Sequence, residues 1–374
     1  MNISGTTNIG KIAKLLALTF LSILATGFNF MLPKHVIFLS EVFAFLITAI
    51  IIYFIILFST RFRALLDDPV NNSKTQAIHN RPIPTSGGIA IFLGFWLTFL
   101  IFLPHLKNQV NLSEMGVIFL ITLIMTFIGA VDDASHVRAR YKLLIEIVAG
   151  IGIYYLVRVK CVDFGIFCLN LGILTPLLFA FFFAGVVNSI NFMDGVDGLA
   201  GGIAAIALFV IIFLGYITGN HIHMLLAGVL MISVISFLLF NFSPAKIFMG
   251  DAGTMFLGGM IAYLSLYVGI RESTFYIYPF LVVLFIPILD VSWAIIRRLK
   301  KRKNIFYPDK EHIHHKLVGR GLTVRESVLL HWFLTGILGI LAIYSTYYGF
   351  IPKLIITIFL LLIWGSGGWI FGWI

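Results

Sequence analysis

Charge is what this sequence has least of. Only 11% of its 374 residues are Asp, Glu, Lys or Arg, and acids are the scarcer sign, 16 against 26 basic residues. A soluble domain carries about 25% charged residues, so an ordinary water-facing surface is excluded. Cysteine is nearly missing. The only two, Cys161 and Cys168, rule out a cysteine-built metal centre and leave open one disulfide or two free thiols. No GxxxxGK[ST] stretch occurs, which argues against ATP hydrolysis of the P-loop kind. Internal duplication is also missing, which argues against a repeat-built transporter.

What fills the space is apolar: 60% of the chain is hydrophobic. The apolar residues fall in runs of roughly 20, long enough to cross a bilayer as helices and too long and unbroken for barrel strands. Twelve spans are expected, near 15–32, 36–58, 87–103, 115–131, 141–157, 173–190, 199–218, 224–242, 253–270, 275–296, 327–347 and 352–373. The expected fold class is therefore an all-α polytopic membrane protein of about 11–12 transmembrane helices. It forms a single integral membrane domain over 1–374, with 11–35 as an additional N-terminal helix. Lys11 and Lys14 ahead of 15–32 imitate a signal peptide. No small-residue cleavage pattern follows, which favours an uncleaved first helix.

The sparse charge is unevenly placed. The loops after the second, fourth, sixth, eighth and tenth spans hold eighteen Lys and Arg, ten of them between Arg297 and Arg325. The opposite loops hold six: Lys34, Lys107, Arg158, Lys160, Arg271 and Lys353. This bias assigns the first set to the cytoplasm and accounts for the +10 net charge as topology, with no nucleic-acid partner required.

The polar clusters fall in those same five loops. The first is His79-Asn80-Arg81-Pro82-Ile83-Pro84-Thr85-Ser86-Gly87-Gly88, a turn by its prolines and glycines. The second pairs Asp132 with Asp133, ahead of Lys142. The third, Asn188 to Gly202, carries Asn188, Asn191, Asp194 and Asp197 at spacing three, one stripe if the helix persists. The fourth runs from Asn241 through Phe248 to Asp251, Gly253 and Thr254. The fifth, Pro308 to Leu317, holds His312, His314 and His315. Each has a plainer reading: a connector, solvated loop acids, helix caps at Asp194, Asp197 or Asp251, or a basic loop that only fixes topology. Carboxylates without thiolates suit a hard ion, Mg²⁺ with Mn²⁺ as the alternative, held by one or two protein oxygens plus substrate phosphates. The His/Arg/Lys loop suits a polyphosphate. Phosphoryl transfer needs chiefly positioning and charge neutralisation, which these clusters supply.

In order along the chain, Pro84-Thr85-Ser86-Gly87-Gly88, Asp132-Asp133, Asn191…Asp194-Gly195-Val196-Asp197-Gly198, Met249-Gly250-Asp251 and His312-Ile313-His314-His315 resemble the polyprenyl-phosphate N-acetylhexosamine-1-phosphate transferases (glycosyltransferase family 4). The likeness is greatest to the bacterial undecaprenyl-phosphate GlcNAc-1-phosphate branch. The resemblance implies a bacterial inner-membrane enzyme with its active site facing the cytoplasm. It would move HexNAc-1-phosphate from a UDP-sugar donor to a polyprenyl-phosphate acceptor and release UMP, opening lipid-linked surface glycan synthesis. It implies Asn191 and Asp251 at Mg²⁺, Asp132 as general base with Asp133 and Lys142 beside the lipid phosphate, and Asp194, Asp197, Asn241 and Phe248 around the nucleoside. His312, His314 and His315 would face the sugar and diphosphate. Many relatives place a third aspartate where this chain has His136. The muramoyl-pentapeptide branch of the family, a polytopic transporter and an anionic-lipid scaffold are the competing readings. The membrane lipids are the expected surroundings, and homodimer formation is left open.

Overall fold

The computed structural model describes residues 34–59, 66–67, 82–135, 137–304, 311–370 and 372. The expected first span 15–32, the residues His79, Asn80 and Arg81, the departure at His136, and Pro308, Asp309 and Lys310 lie outside the described residues. The helices are α1 (Lys34–Phe58), α2 (Gly87–Leu106), α3 (Leu112–Ser135), α4 (Ala139–Val157), α5 (Thr175–Met193), α6 (Leu199–Thr218), α7 (His221–Asn241) and α8 (Gly250–Gly269), followed by α9 (Tyr278–Val283), α10 (Phe285–Lys300), α11 (Ile313–Gly319), α12 (Val324–Tyr347) and α13 (Phe350–Ile370). Among the described residues nine helices are long and apolar enough to cross a membrane, and the chain is a multi-pass membrane protein. Helix α4 spans the same length but carries Arg140, Lys142 and Glu146 in its first half.

The tenth expected span, 275–296, is not one helix. It breaks at Leu284 into α9 and α10. Pro287 has no N–H with which to continue the ladder onto the carbonyl four residues back. The condition on which the third cluster would form one stripe, a helix that persists, is not met. Helix α5 stops at Met193, with Asp194 as its C-cap and a turn at Gly198 (φ 82°), so Asn188, Asn191, Asp194 and Asp197 do not form one helical stripe.

Helix α8 is the axis of the bundle, with 94% of its apolar window buried. It packs against α2, α3, α5 and α6. By contrast α1 and α13 are 22% and 17% buried, and their outer faces carry Tyr53, Phe54, Leu361 and Leu362, side chains suited to lipid contact. Short strands, not expected from the sequence, join the connections at one end. Strands β3 (Cys161–Asp163) and β4 (Cys168–Leu169) form a hairpin, as do β5 (Ile270–Arg271) and β6 (Thr274–Tyr276), and parallel pairing of β3 with β6 makes a four-stranded sheet. Cys161 and Cys168 are joined as a disulfide across the first hairpin. A two-residue pair, β1 (Leu66–Asp67) with β2 (Ile83–Pro84), lies at the other end.

Candidate active site

The end of the bundle opposite the four-stranded sheet gathers the C-termini of α3 and α5 and the N-termini of α4 and α8. These four ends carry Asp132 and Asp133, Asn191, Lys142 and Asp251. Close packing brings them together. At Gly129, one turn before the aspartate pair, an added Cβ would stand 2.4 Å from the Ala252 nitrogen, so only glycine lets α3 lie against the first turn of α8. Gly250 opens α8 with φ 70°, and a Cβ there would meet Thr85 O at 2.4 Å and Asp133 Oδ2 at 2.5 Å. The first loop is tied to the fourth by main chain: Phe248 N donates to Pro84 O (2.8 Å), and Gly87 N and Gly88 N donate to Phe248 O and Met249 O (both 2.9 Å).

Lys142 Nζ donates to Asp132 Oδ2 at 2.8 Å and to Asp251 Oδ2 at 2.5 Å. Asn191 Nδ2 donates to Asp251 Oδ1 (3.0 Å) and to Thr254 Oγ1 (2.8 Å). Four helices thus contribute to one network of two carboxylates, an ammonium and an amide. Asp133, its sequence neighbour, plays a different part. Its two oxygens accept the backbone N–H groups of Asp251 (2.8 Å) and Ala252 (3.2 Å). It caps α8 from another helix and satisfies amides that α8 itself leaves unpaired. The sequence offered Asp251 as the cap of that helix; the capping oxygens are those of Asp133.

Asp194, half-buried at the end of α5, accepts the Gly250 N–H. Burial first, then the nearby charges of Asp251 and Asp133, hold its carboxyl well above the usual carboxylate range. Asp197 accepts the Ala245 N–H at 2.9 Å. Asn241 is 3% exposed. Its Oδ1 accepts from Gly198 N and its Nδ2 donates to Ile247 O, both at 2.8 Å, so it braces the third loop to the fourth and offers no open face to a nucleoside. Phe248 is half-buried beside it.

The histidines form a second group on α11. His312 Nδ1 is 2.7 Å from Asp290 Oδ2, its ring stands edge-on to Phe192 at 5.2 Å, and it is stacked on His314 at 5.7 Å. His314 is 1% exposed. Burial, with the neighbouring His315, His312 and His331, pushes its ring well below the usual histidine value, which keeps it neutral. His315 packs on His314 with ring centroids 4.2 Å apart.

Several residues beyond those anticipated join the site. Thr254 holds Asn191. Glu146, one turn from Lys142, accepts from Asn188 Nδ2 at 2.5 Å. Asp290 anchors the histidine segment. Thr254 is a neutral hydroxyl at the end of the fourth cluster, and Glu146 shows in the sequence only as an acid within an apolar run. Asp290 stands out only as an acid within an apolar run.

Among the described residues no three His, Cys, Asp or Glu side chains converge as a self-sufficient metal cage. The donor set nevertheless suits Mg²⁺, which takes few protein oxygens and completes its shell with phosphate and water. Asp251 offers a carboxylate and Asn191 an amide oxygen, and the Lys142 ammonium shows that the spot between Asp132 and Asp251 already holds a positive charge.

The match to known proteins falls on this same region. The model of the family described as glycosyl transferase family 4 matches residues 115–269. A probable undecaprenyl-phosphate N-acetylglucosaminyl 1-phosphate transferase of Bacillus subtilis (strain 168) is 35% identical over 283 residues, covering 73% of this chain and 76% of that one. A decaprenyl-phosphate N-acetylglucosaminephosphotransferase of Mycobacterium leprae (strain TN) is 32% identical over 71% of this chain and 73% of its own. An undecaprenyl-phosphate alpha-N-acetylglucosaminyl 1-phosphate transferase of Escherichia coli (strain K12) is 27% identical over 80% and 81%.

Proposed function

The chain belongs to glycosyl transferase family 4, and from that premise we propose that it transfers N-acetylglucosamine-1-phosphate from a UDP-sugar to undecaprenyl phosphate at the cytoplasmic face of a bacterial inner membrane. An oxygen of the lipid phosphate attacks the β-phosphorus of the donor. The new P–O–P bond forms as the bond between that phosphorus and the bridging oxygen breaks, and the electron pair leaves with UMP. The observation that carries the reading is the meeting of Asp132, Lys142, Asn191 and Asp251 from four helix ends of a membrane bundle.

Asp132 takes or holds the proton of the lipid phosphate, and Lys142 steadies Asp132 and attracts the incoming phosphate. Asn191 and Asp251 would hold Mg²⁺, which when bound supplies neutralisation of the diphosphate charge. Asp133 keeps the α8 turn, and so Asp251, in place. Asp194, Asp197 and Phe248 face the nucleoside, and the histidine segment faces the sugar and diphosphate through His312 and His315, with His314, 1% exposed, packed against both rings. Phosphoryl transfer of this kind gains its rate from such positioning and charge stabilisation.

The test is UMP release by the full chain in nanodiscs with undecaprenyl phosphate and a panel of UDP-GlcNAc, UDP-GalNAc and the UDP-muramoyl-pentapeptide. UDP-GlcNAc is expected to give Mg²⁺-dependent UMP, and Asp251→Ala and Asp132→Asn to abolish it. No UMP from any donor would reject the activity. Wild-type rates in both variants would reject the roles.

A further inference from the structure

Asp290 lies in α10, the second half of the broken span, and is 0% exposed. Its two oxygens have separate partners. Oδ2 is 2.7 Å from His312 Nδ1, and Oδ1 accepts the backbone N–H of Ile313 at 3.0 Å. The second bond fixes the first residue of α11, and the first fixes the ring that precedes it. A carboxylate can only accept, so Nδ1 of His312 must carry a proton. Nε2 is the remaining polar atom of the ring. The ring sits against Phe192, next to Asn191. The adjacent His314 stacks on it, and its Nε2 is 3.0 Å from where a Cβ of Gly195, next to Asp194, would stand. The histidine segment is therefore held against the end of α5, which carries Asn191 and its C-cap Asp194.

We propose that Asp290 is a positioning residue: it sets the tautomer and orientation of His312 so that Nε2 is presented to the donor's diphosphate. The proposal rests on the transferase reading for the identity of that ligand. A ring held by a carboxylate at Nδ1 can accept a second proton at Nε2 and donate it in a charge-assisted bond to a phosphate oxygen. The groups facing the ring are Asp290 and Arg298 from α10, the latter through Phe192, and His314 and His315 from α11. Among the described residues, Asp290 is the carboxylate bonded to the ring.

Asp290→Asn separates positioning from simple packing. The amide is nearly isosteric. The Ile313 N–H still needs an acceptor, so the amide oxygen stays there and the NH₂ faces His312. That group donates, which makes Nδ1 an acceptor and moves the proton of the neutral ring to Nε2.

The experiment uses full-length protein in nanodiscs with ¹⁵N-labelled histidine. The His312 signals are assigned by their loss in His312→Asn. Wild type is expected to show the Nδ1–H form and Asp290→Asn the Nε2–H form. With UDP-GlcNAc, kcat/KM of the variant is expected to fall about 10- to 100-fold, the scale of one charge-assisted bond, at an unchanged melting temperature. An Nε2–H tautomer in wild type, or a variant within about threefold of wild-type kcat/KM while wild type turns over, overturns the proposal. If wild type releases no UMP from any donor while the tautomer switches as described, the transferase reading fails and the positioning stands for another anionic ligand, which UDP-induced change in the His312 signals would report.

Discussion

Replacing Asp133 tests whether it acts through α8 or on a substrate. Asp133→Ala removes both acceptors from the first turn of α8 and leaves the Asp251 and Ala252 amides unpaired. Each unsatisfied buried amide costs roughly 1–3 kcal/mol, and the lost carboxylate-to-dipole attraction adds about 0.3–1 kcal/mol. Partial access of water to this end of the bundle lowers the sum, so a loss of about 2–4 kcal/mol is expected. Asp133→Asn keeps one acceptor and turns an NH₂ toward the other amide, so about half of that loss is expected. The assay is thermal unfolding in nanodiscs together with amide hydrogen exchange over residues 250–254. Both variants should melt lower, and exchange over 250–254 should quicken more in Asp133→Ala. Turnover should fall in step with that exchange, because Asp251 moves with the turn. Lost turnover with unchanged exchange and melting would refute the capping argument and make Asp133 a group that touches substrate.

Two further outcomes follow from the same network. Lys142→Met leaves Asp132 and Asp251 facing each other without their shared cation. Breaking a fully buried pair costs about 3–5 kcal/mol; these side chains retain 9–25% exposure, so about 1–3 kcal/mol is expected. Turnover should be lost, and added Mg²⁺ should raise the melting temperature of the variant more than that of wild type; an equal or smaller rise would count against a shared cation spot. Asp194 has a raised folded-state value, so its contribution to stability is full below the usual carboxylate value near 4 and is lost as pH rises. In EDTA, the melting temperature of Asp194→Asn minus that of wild type should therefore grow from pH 4 to pH 8, and a gap that shrinks would contradict the effect of burial and of the neighbouring Asp251 and Asp133 on this carboxyl.

The membrane spans were legible because a bilayer demands length and apolarity, and both are one-dimensional properties of the sequence. The order of the polar motifs was legible for the same reason: alternate loops return to the same side. Contacts made between helices were not. The sequence shows Asp133 beside Asp132, but only the packing of Gly129 against Ala252 decides that one aspartate meets Lys142 while the other caps α8. Asn241 reads as a loop polar group, and its burial as a brace comes from two loops folding over it. The spacing of Asn191, Asp194 and Asp197 fits one helical stripe only if α5 persists, and spacing alone does not decide that. Helix α5 ends at Met193, and each acid then finds a backbone N–H of its own. The strands Cys161–Asp163 and Thr274–Tyr276 are too short to show a period of two, and they pair across more than a hundred residues of chain. The break at Leu284 had a visible cause in Pro287, outweighed by the continuous hydrophobicity around it.

The charge balance of the site carries a last consequence. Asp132 and Asp251 share one ammonium, Lys142, so this pair alone leaves the pocket with excess negative charge. The donor brings a diphosphate, which is itself anionic. Two like-charged partners come together only with added cation, so the affinity for the donor and the affinity for Mg²⁺ must be coupled. That coupling is reciprocal: each ligand tightens the other by the same factor, commonly about 5- to 150-fold. Calorimetry on the full chain in nanodiscs should show UDP-GlcNAc binding at least about tenfold tighter with Mg²⁺ than in EDTA, and Mg²⁺ binding tighter by that factor with UDP-GlcNAc present. Asp251→Ala removes a proposed ligand and should bring the factor toward one, whereas Asp197→Asn, which lies against Ala245 and away from Lys142, should leave most of it. Equal UDP-GlcNAc affinity with and without Mg²⁺ would mean that the protein's own cations, Lys142 and Arg298 over Phe192, neutralise the diphosphate unaided, and the assignment of Asn191 and Asp251 to a metal would fall.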